Sequence, residues 1–177
     1  MAEPARTEPA RPVELHRGSA ADLPLLEPLW VSVHHQHAES MPELAPYVDD
    51  SRTWAERSVL YAGLLARPQT ILLLARAGRE LVGYGLAHVM TAAGSWAGDT
   101  WQTGAQIGEI ESLAVLPSWR GRGIGGRLLD ELERELAATG VHDLVIGVLP
   151  GNTGAVRLYQ RRGFRPTWTY LSRFAGR

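Results

Sequence analysis

The stretch RGRGIGGRLL, residues 120–129, most constrains the fold, because it places four glycines where a helix begins. A glycine inside a helix costs about 1 kcal/mol relative to alanine, so their concentration here requires a reason. The free N–H groups and positive dipole at a helix N-terminus favour an anion, and glycines let a phosphate approach the backbone. Arg120 and Arg122 add fork-shaped cationic donors. Apolar residues at helical spacing follow, namely Ile124, Leu128, Leu132 and Leu136.

Two phosphate-binding motifs fit this stretch. Gly121-x-Gly123-x-x-Gly126 matches the dinucleotide fingerprint, whereas Arg120-x-x-Gly123-x-Gly125 matches a different loop. The dinucleotide fingerprint follows its strand at once and has an acidic residue at the end of the next strand. Here LPSWR separates the strand from the glycines, and Asp143 begins the next strand. A Walker loop is excluded because the sequence has no Gly-Lys-Ser/Thr.

Hydrophobic periodicity and turn residues predict a mixed α/β domain with the order β, α, α, β, β, β, α, β, α, β. The predicted strands are 13–18, the two arms of a hairpin within 70–90, 106–117, 142–149 and 164–174. The first predicted helix is 23–40, with Asp22 or Ser19 as its cap and an irregular start at Pro24 and Pro28. The other predicted helices are 51–67, 123–139 and 152–163. We expect 142–149 to be a buried strand, parallel to 106–117 through a right-handed crossover.

The length of 177 residues predicts one domain, 13–177, after a Pro/Ala-rich N-terminal tail, 1–12, that we expect to be disordered. The absence of cysteine excludes disulfides, thiolate catalysis and cysteine zinc sites. The net charge of −1 argues against a nucleic-acid partner. The sequence has neither an apolar run of ~20 residues nor a secretory h-region, so we expect a cytoplasmic protein with no membrane partner.

Two segments carry a family resemblance. EIESLAVLPSWRGRGIGGRLLDELE resembles the acyl-CoA loop of the Gcn5-related N-acetyltransferase (GNAT) superfamily, and GNTGAVRLYQRRGF resembles its Asn-x-x-Ala-x-x-x-Tyr-x-x-x-Gly-Phe segment. The residues that match the second motif are Asn152, Ala155, Leu158, Tyr159, Gly163 and Phe164. The resemblance covers 13–170 and implies the GNAT acyl-CoA N-acyltransferase fold, with two parallel strands that splay apart.

The resemblance also implies acetyl-CoA as the cosubstrate, bound in the gap between strands 107–116 and 143–149. The pantetheine arm would pair with the backbone of the first strand, the pyrophosphate would bind the glycine turn, and Asn152 would hold the arm or cap its own helix. The residues implied for cofactor binding are Leu113, Ala114, Val115, Arg120, Gly121, Arg122, Gly123, Ile124, Gly125, Gly126, Asn152 and Tyr159.

The implied reaction is direct attack of a primary amine on the thioester, with Tyr159 as general acid. Glu109 and Glu111 are the candidates for the general base. Their period-two spacing places both on one side of the strand if no bulge intervenes. Glu109 takes the place of the base in the histone-acetylating branch, and Glu111 lies nearer the thioester. A core tyrosine and polar residues at a strand rim are the structural alternatives.

The resemblance implies that the acceptor pocket is built from the first two helices, their loop and the loop before the fourth strand. These segments supply Trp30, His34, His35, His37, Tyr47, Trp54, Trp96 and Trp101. The three histidines lack a HExxH pattern, so we predict no metal site and interpret them as a pocket wall, a proton relay or a surface cluster. Trp96 and Trp101 are candidates for a homodimer contact. The acidic residues that would favour a cationic amine are Glu39, Glu43, Asp49 and Asp50.

The sequence therefore predicts an N-acetyltransferase that moves an acetyl group from acetyl-CoA to a primary amine of a small molecule or peptide. Two alternatives stay open, an acyltransferase that uses a longer acyl-CoA and a catalytically silent CoA-binding sensor. Tyr159 and the two glutamates argue against a silent sensor, which has no need of them.

Overall fold

The computed structural model describes residues 12–174, so the predicted tail lies outside the described residues except for Pro12. The strands are β1 (Val13–Arg17), β2 (Ile71–Ala77), β3 (Glu80–Thr91), β4 (Gln106–Val115) and β5 (Asp143–Ile146). The helices are α1 (Glu27–Ser40), α2 (Asp50–Leu65), α3 (Ile124–Ala138) and α4 (Thr153–Gln160). Among the described helices, none combines the length and the apolar character that crossing a membrane requires.

The five strands form one sheet in the order β1-β2-β3-β4-β5. The first four are antiparallel neighbours, and β5 is parallel to β4, to which α3 connects it. This arrangement confirms the predicted α/β fold and the parallel strand pair. β5 pairs with β4 only from Ile107 to Ile110, so residues 111–115 of β4 continue without a β5 partner. The predicted splay therefore begins after Ile110.

The helices cover both faces of the sheet. Leu73 of β2 packs in the core that contains α3 and α4, whereas its neighbours Leu72 and Leu74 pack in the core that contains α1 and α2. The α3 residues in the first core are Ile124, Leu128, Leu129, Leu132 and Leu136. This alternation is the period of a strand buried on both faces.

A β-bulge interrupts the pairing of β3 with β4. Leu86 pairs with Ser112 and Ala87 with Ile110, which leaves Glu111 as the extra residue on β4. Glu111 contacts α2 and the Ser112 hydroxyl lies 3.0 Å from the hydroxyl of Tyr84, so two consecutive side chains point to the α1–α2 face. A bulge interrupts the alternation of side chains between the two faces, because it inserts one extra residue opposite the partner strand.

The start of the first helix confirms the predicted irregularity. A 3₁₀ turn, Ala20–Leu26, precedes α1, and the Ser19 side chain caps that turn. Pro24 lies within the turn and Pro28 at the beginning of α1, where a missing N–H costs least. α2 begins one residue earlier than predicted, because the Asp49 side chain caps it by accepting from the amide of Arg52.

Two predicted strands differ from the structure. The predicted buried strand 142–149 forms only as β5, and its apolar residues are half-buried because β5 pairs with β4 alone. The predicted strand 164–174 does not form, and within it Trp168, Tyr170 and Leu171 are exposed. This segment pairs with none of the described strands and keeps these apolar side chains exposed, so its β-propensity alone does not produce a strand.

Candidate active site

The glycine turn before α3 has the backbone geometry that its composition predicts. Gly121 and Gly123 have φ of 75° and 76°, in the left-handed region that strains other residues. Gly123 caps α3, its carbonyl accepts from the amide of Arg127 at 3.0 Å, and no side chain caps the helix. The N–H groups of the first turn therefore lack intrahelical acceptors and can receive an anion.

The last two glycines of the turn lie against α4. A Cβ on Gly126 would come within 2.6 Å of Arg162 Nη2, so that residue has a packing role as well as its predicted cofactor role. Arg162 also pairs with Asp130 at 3.0 Å, which joins the end of α4 to α3. A Cβ on Gly125 would make only ordinary contacts, the nearest at 3.8 Å to Leu158. Alanine would therefore fit at Gly125 without a close contact, unlike at Gly126.

Both arginines of the turn are held by contacts within the protein. Arg120 donates to the carbonyl of Val115 at 3.2 Å and to Oε1 of Gln36 at 2.9 Å. It therefore joins the turn to β4 and to helix α1, a role that the sequence did not predict. The guanidinium of Arg122 stacks over Trp119, 4.6 Å from the ring centroid. The sequence places both arginines next to the turn, and their guanidinium groups contact other protein groups.

The outer end of β4 provides the predicted backbone edge. Leu113 and Val115 pack with the α3–α4 core, whereas Ala114 packs with the α1–α2 core. These residues pair with Gly83–Gly85 of β3 on one side, and on the other side none of the described strands pairs with them. Backbone polar groups need partners when they leave water. A ligand with amide groups can pair with this edge in the manner of an added strand.

Helix α4 carries Asn152 and Tyr159. The Asn152 side chain accepts from the amide of Ala155 at 3.2 Å and so caps α4, which was the structural alternative to a cofactor role. Tyr159 is buried and packs edge-on against Phe164. Burial raises the pKa of Tyr159 to about 12, so its hydroxyl stays protonated at neutral pH. Within residues 12–174 that hydroxyl makes no hydrogen bond, so it is available as a proton donor.

The two predicted base candidates lie close together on the α1–α2 face, but their partners differ. Oε2 of Glu109 lies 3.3 Å from Nε2 of His88, and hydrogen bonding from His88 lowers the pKa of Glu109. Oε1 of Glu111 lies 2.5 Å from Nη1 of Arg57. Burial raises the pKa of Glu111, and the charge of Arg57 opposes that shift. The prediction of a shared side is confirmed despite the bulge.

The sequence analysis missed His88 and Arg57. Ligand atoms of His88, Glu109 and Glu111 lie within 4.8 Å of one another, close enough to share a cation. Arg57 already supplies positive charge there, so we interpret the group as an ion-paired network. The one available signal was the position of His88, a lone titratable residue in the apolar stretch GYGLAHVM. Pairing of His88 with Glu109 became visible only with the register of β3 against β4.

The wall beside Glu111 is formed by Arg57 and the residues that hold it. The guanidinium of Arg57 lies 3.9 Å from the centroid of the Trp30 ring, and the Trp30 indole N–H donates to the Thr53 hydroxyl at 3.1 Å. Trp30 is therefore a core residue that supports Arg57. Trp54, another predicted pocket residue, also packs against the α1–α2 core.

The three histidines of α1 have separate partners. His34 Nε2 lies 2.8 Å from the carbonyl of Val48, and its ring packs edge-on against Tyr47. His35 pairs with Asp50 at 2.9 Å on the surface. His37 packs edge-on against the Trp30 ring, and burial is the largest cause that lowers the pKa of His37. Among the described residues these histidines do not gather around a common point.

The loop before β4 carries a chain of edge-on indole contacts. The rings of Trp96 and Trp101 are 5.8 Å apart, and those of Trp101 and Trp168 are 6.2 Å apart. Trp101 therefore connects the loop to the C-terminal segment. A homodimer contact at these tryptophans stays a prediction.

Comparisons with known proteins point to one family. The sequence model of the acetyltransferase (GNAT) family matches residues 30–164. An IAA acetyltransferase from Azospirillum brasilense is 30% identical over 122 residues, which are 69% of this chain and 72% of that protein.

Solved structures show the same fold. A GCN5-related N-acetyltransferase from Ralstonia eutropha JMP134 has a TM-score of 0.72 at 21% identity, over 93% of this chain and 100% of that one. A predicted acetyltransferase with acetyl-CoA from Clostridium acetobutylicum has a TM-score of 0.67 at 19% identity, over 91% and 96%.

Proposed function

Because the chain belongs to the acetyltransferase (GNAT) family, we propose that it transfers an acetyl group from acetyl-CoA to a primary amine. The observation that carries this proposal is the arrangement of two sets of free backbone groups. One set is the first turn of α3 after Gly123, and the other is the edge of β4 at 111–115. Their combination suits a ligand that has a pyrophosphate and an amide-bearing arm.

The residues of the chain fit acetyl-CoA in order along that ligand. In the proposal, the pyrophosphate binds the N–H groups of 121–126, where the left-handed glycines present backbone and no side chain. Arg120 and Arg122 add positive charge beside this turn. The pantetheine arm pairs with the backbone of 113–115, and Asn152 approaches it from α4. The structural relative from Clostridium acetobutylicum, which contains acetyl-CoA, supports the choice of ligand.

The catalytic steps that we assign to the chain are two proton transfers. Acetyl-CoA supplies an acyl group that is already activated as a thioester. A carboxylate, Glu109 or Glu111, takes a proton from the ammonium group so that the nitrogen gains a free electron pair. The nitrogen then forms a bond to the carbonyl carbon, the C–S bond breaks, and the hydroxyl of Tyr159 gives its proton to the departing sulfur. The second proton of the attacking nitrogen restores the Tyr159 hydroxyl, and the carboxyl releases the first proton to water. The products are the amide, the CoA thiol and one proton.

The acceptor in this proposal is a cationic amine before it loses its proton. Glu109 and Glu111 lie side by side, and only Glu111 is paired with an arginine, so negative charge remains at Glu109. That charge attracts an ammonium group. The acceptor is a small molecule or a peptide amine, and the family contains enzymes for different acceptors.

Thermal unfolding with acetyl-CoA tests the donor half of the proposal. A ligand at about 100 times its Kd stabilises the native state by about 2.7 kcal/mol, which raises the Tm by several degrees for a chain of this size. NAD and ATP are the controls, because both carry adenosine with linked phosphates but neither has the pantetheine arm or the 3′-phosphate of CoA. A shift with acetyl-CoA alone supports the proposal, and an equal shift with NAD would contradict it.

A further inference from the structure

His88 lies beside one base candidate and has no assigned role. It is on β3, directly opposite Glu109 in the strand register. Its side chain is 9% exposed, and Nε2 lies 3.3 Å from Oε2 of Glu109. Its other ring nitrogen, Nδ1, is fully buried and has no hydrogen-bond partner within the described residues. Of the two ring nitrogens, therefore, only Nε2 contacts a partner within the described residues.

The buried Nδ1 determines where the imidazole carries its proton. A buried N–H without an acceptor is destabilising, and more so if the group is charged. Protonation of Nδ1 would create such a donor, in either the neutral or the cationic ring. Nε2 therefore carries a proton, and this N–H faces the carboxylate of Glu109.

The surroundings of the two carboxylates distinguish them. The Glu109 side chain is 38% exposed, so an acceptor can reach it. The Glu111 side chain is 18% exposed and is bonded to Arg57, whose guanidinium is held against the Trp30 ring. A general base must come within hydrogen-bonding distance of the proton that it removes. Accessibility favours Glu109, and Glu111 serves as the counter-ion of Arg57.

We propose that His88 is a positioning residue, whose Nε2–H holds Oε2 of Glu109 and so directs Oε1 toward the acceptor amine. This inference rests on the proposed acetyl transfer and selects Glu109 over Glu111 as the base. One N–H bond of the ammonium group breaks, its electron pair stays on nitrogen, and the proton goes to Oε1 of Glu109. His88 keeps its own proton throughout, and Glu109 then releases the transferred proton to water.

The contact has a consequence for the pH dependence. The charged and titratable groups that meet here are Glu109 and Glu111 on β4, His88 on β3 and Arg57 on α2. Hydrogen bonding from His88 lowers the pKa of Glu109, so loss of that donor raises it. The acidic limb of kcat/KM, which follows ionisation of the base, then moves to higher pH.

Two substitutions of His88 separate positioning from mere packing. His88→Gln places an amide N–H near the former position of Nε2, whereas His88→Asn is also polar but too short to reach Glu109. We expect kcat of His88→Asn to fall about 10- to 100-fold, because a misplaced catalytic group costs that much. We expect the acidic limb of His88→Asn to move to higher pH, and His88→Gln to restore both the rate and the limb. An unchanged Tm shift with acetyl-CoA verifies that both variants fold.

A second measurement does not depend on activity. A ¹³C-NMR titration of the Glu109 carboxyl should show a higher pKa in His88→Asn than in the wild type or His88→Gln. Equal pKa values and equal rates in all three proteins would overturn the inference, as would a larger loss of kcat in Glu111→Gln than in Glu109→Gln. If the wild type acetylates no amine, the proposed function fails, while the titration still decides whether His88 positions Glu109.

Discussion

The guanidinium of Arg57 bonds to the carboxylate of Glu111 at 2.5 Å and covers the ring of Trp30 at 3.9 Å. This contact joins helix α2 to the bulge of β4, 54 residues later in the chain. It neutralises the less exposed of the two carboxylates at the candidate site. The Glu111 side chain at the bulge is therefore largely buried with its charge compensated by Arg57.

Loss of that partner should destabilise the protein. Breaking a buried ion pair typically costs 3–5 kcal/mol, because one charge stays buried without compensation. Arg57 and Glu111 are partly exposed, so we expect Arg57→Met to lower the free energy of unfolding by about 2 kcal/mol. The double variant Arg57→Met/Glu111→Gln should recover part of this loss in urea unfolding. Glu111→Gln alone completes the cycle, and a loss in the double variant equal to the sum of the two single losses would show that the pair is not coupled.

The loss in free energy of unfolding caused by Arg57→Met should depend on pH. Burial raises the folded-state pKa of Glu111, and removal of the opposing Arg57 charge raises it further. A carboxyl with a raised folded-state pKa favours the folded state at low pH, and this contribution is lost as pH rises through that pKa. The difference in free energy of unfolding between the wild type and Arg57→Met should therefore become smaller as the pH is lowered from about 7 to about 5. Urea unfolding at both pH values measures it, and a constant difference would argue against the assignment to Glu111.

Two glycines that flank α3 provide matched substitutions to test the phosphate-binding role of the turn. Gly123 and Gly140 flank opposite ends of the helix, have φ of 76° and 85°, and have open space where a Cβ would lie. Substitution by glutamate should strain each backbone by about 1–2 kcal/mol and add the same charge. Only Gly123→Glu should abolish the Tm increase produced by acetyl-CoA. Retention of that increase in Gly123→Glu would refute the phosphate-binding role of the turn.

Tyr159 should affect the rate more than binding. Its pKa of about 12 keeps the hydroxyl protonated between about pH 6 and pH 10, so its ionisation does not limit activity there. Tyr159→Phe should lower kcat by about 10²-fold, the lower range for loss of a general acid, and leave the Kd for acetyl-CoA unchanged. Tyr170→Phe, at a position 84% exposed, is the control and should behave as the wild type. An unaltered kcat in Tyr159→Phe would remove Tyr159 as the acid.

Local signals in the sequence predicted the parts of the fold that depend on local physics. The apolar stripe of α3, the left-handed glycines before it and the cap at Asn152 each follow from a few neighbouring residues. The segment 164–174 has the composition of a strand, yet strand formation depends on a partner edge elsewhere in the chain. The segment 164–174 is absent from the described sheet, so strand-like composition alone did not predict a strand correctly.

The candidate site was predicted in part for the same reason. Glu109, Glu111 and Tyr159 stand in recognisable motifs, so the sequence alone makes them candidates. His88 and Arg57 stand in no motif, and they reach the carboxylates only through the pairing of β3 with β4 and the packing of α2. The bulge at Glu111 depends on that pairing too. Contacts between distant segments therefore account for what the sequence analysis missed.

Release of the CoA thiol from acetyl-CoA tests the central claim most directly. The purified protein is incubated with acetyl-CoA and a panel of small amines and peptides, with Tyr159→Phe as the matched control, and the product is identified by mass spectrometry. We expect amine-dependent release of thiol in equal amount to an N-acetylated product, with a much lower rate in Tyr159→Phe. Binding of acetyl-CoA without acetylation of any amine in the panel would contradict it.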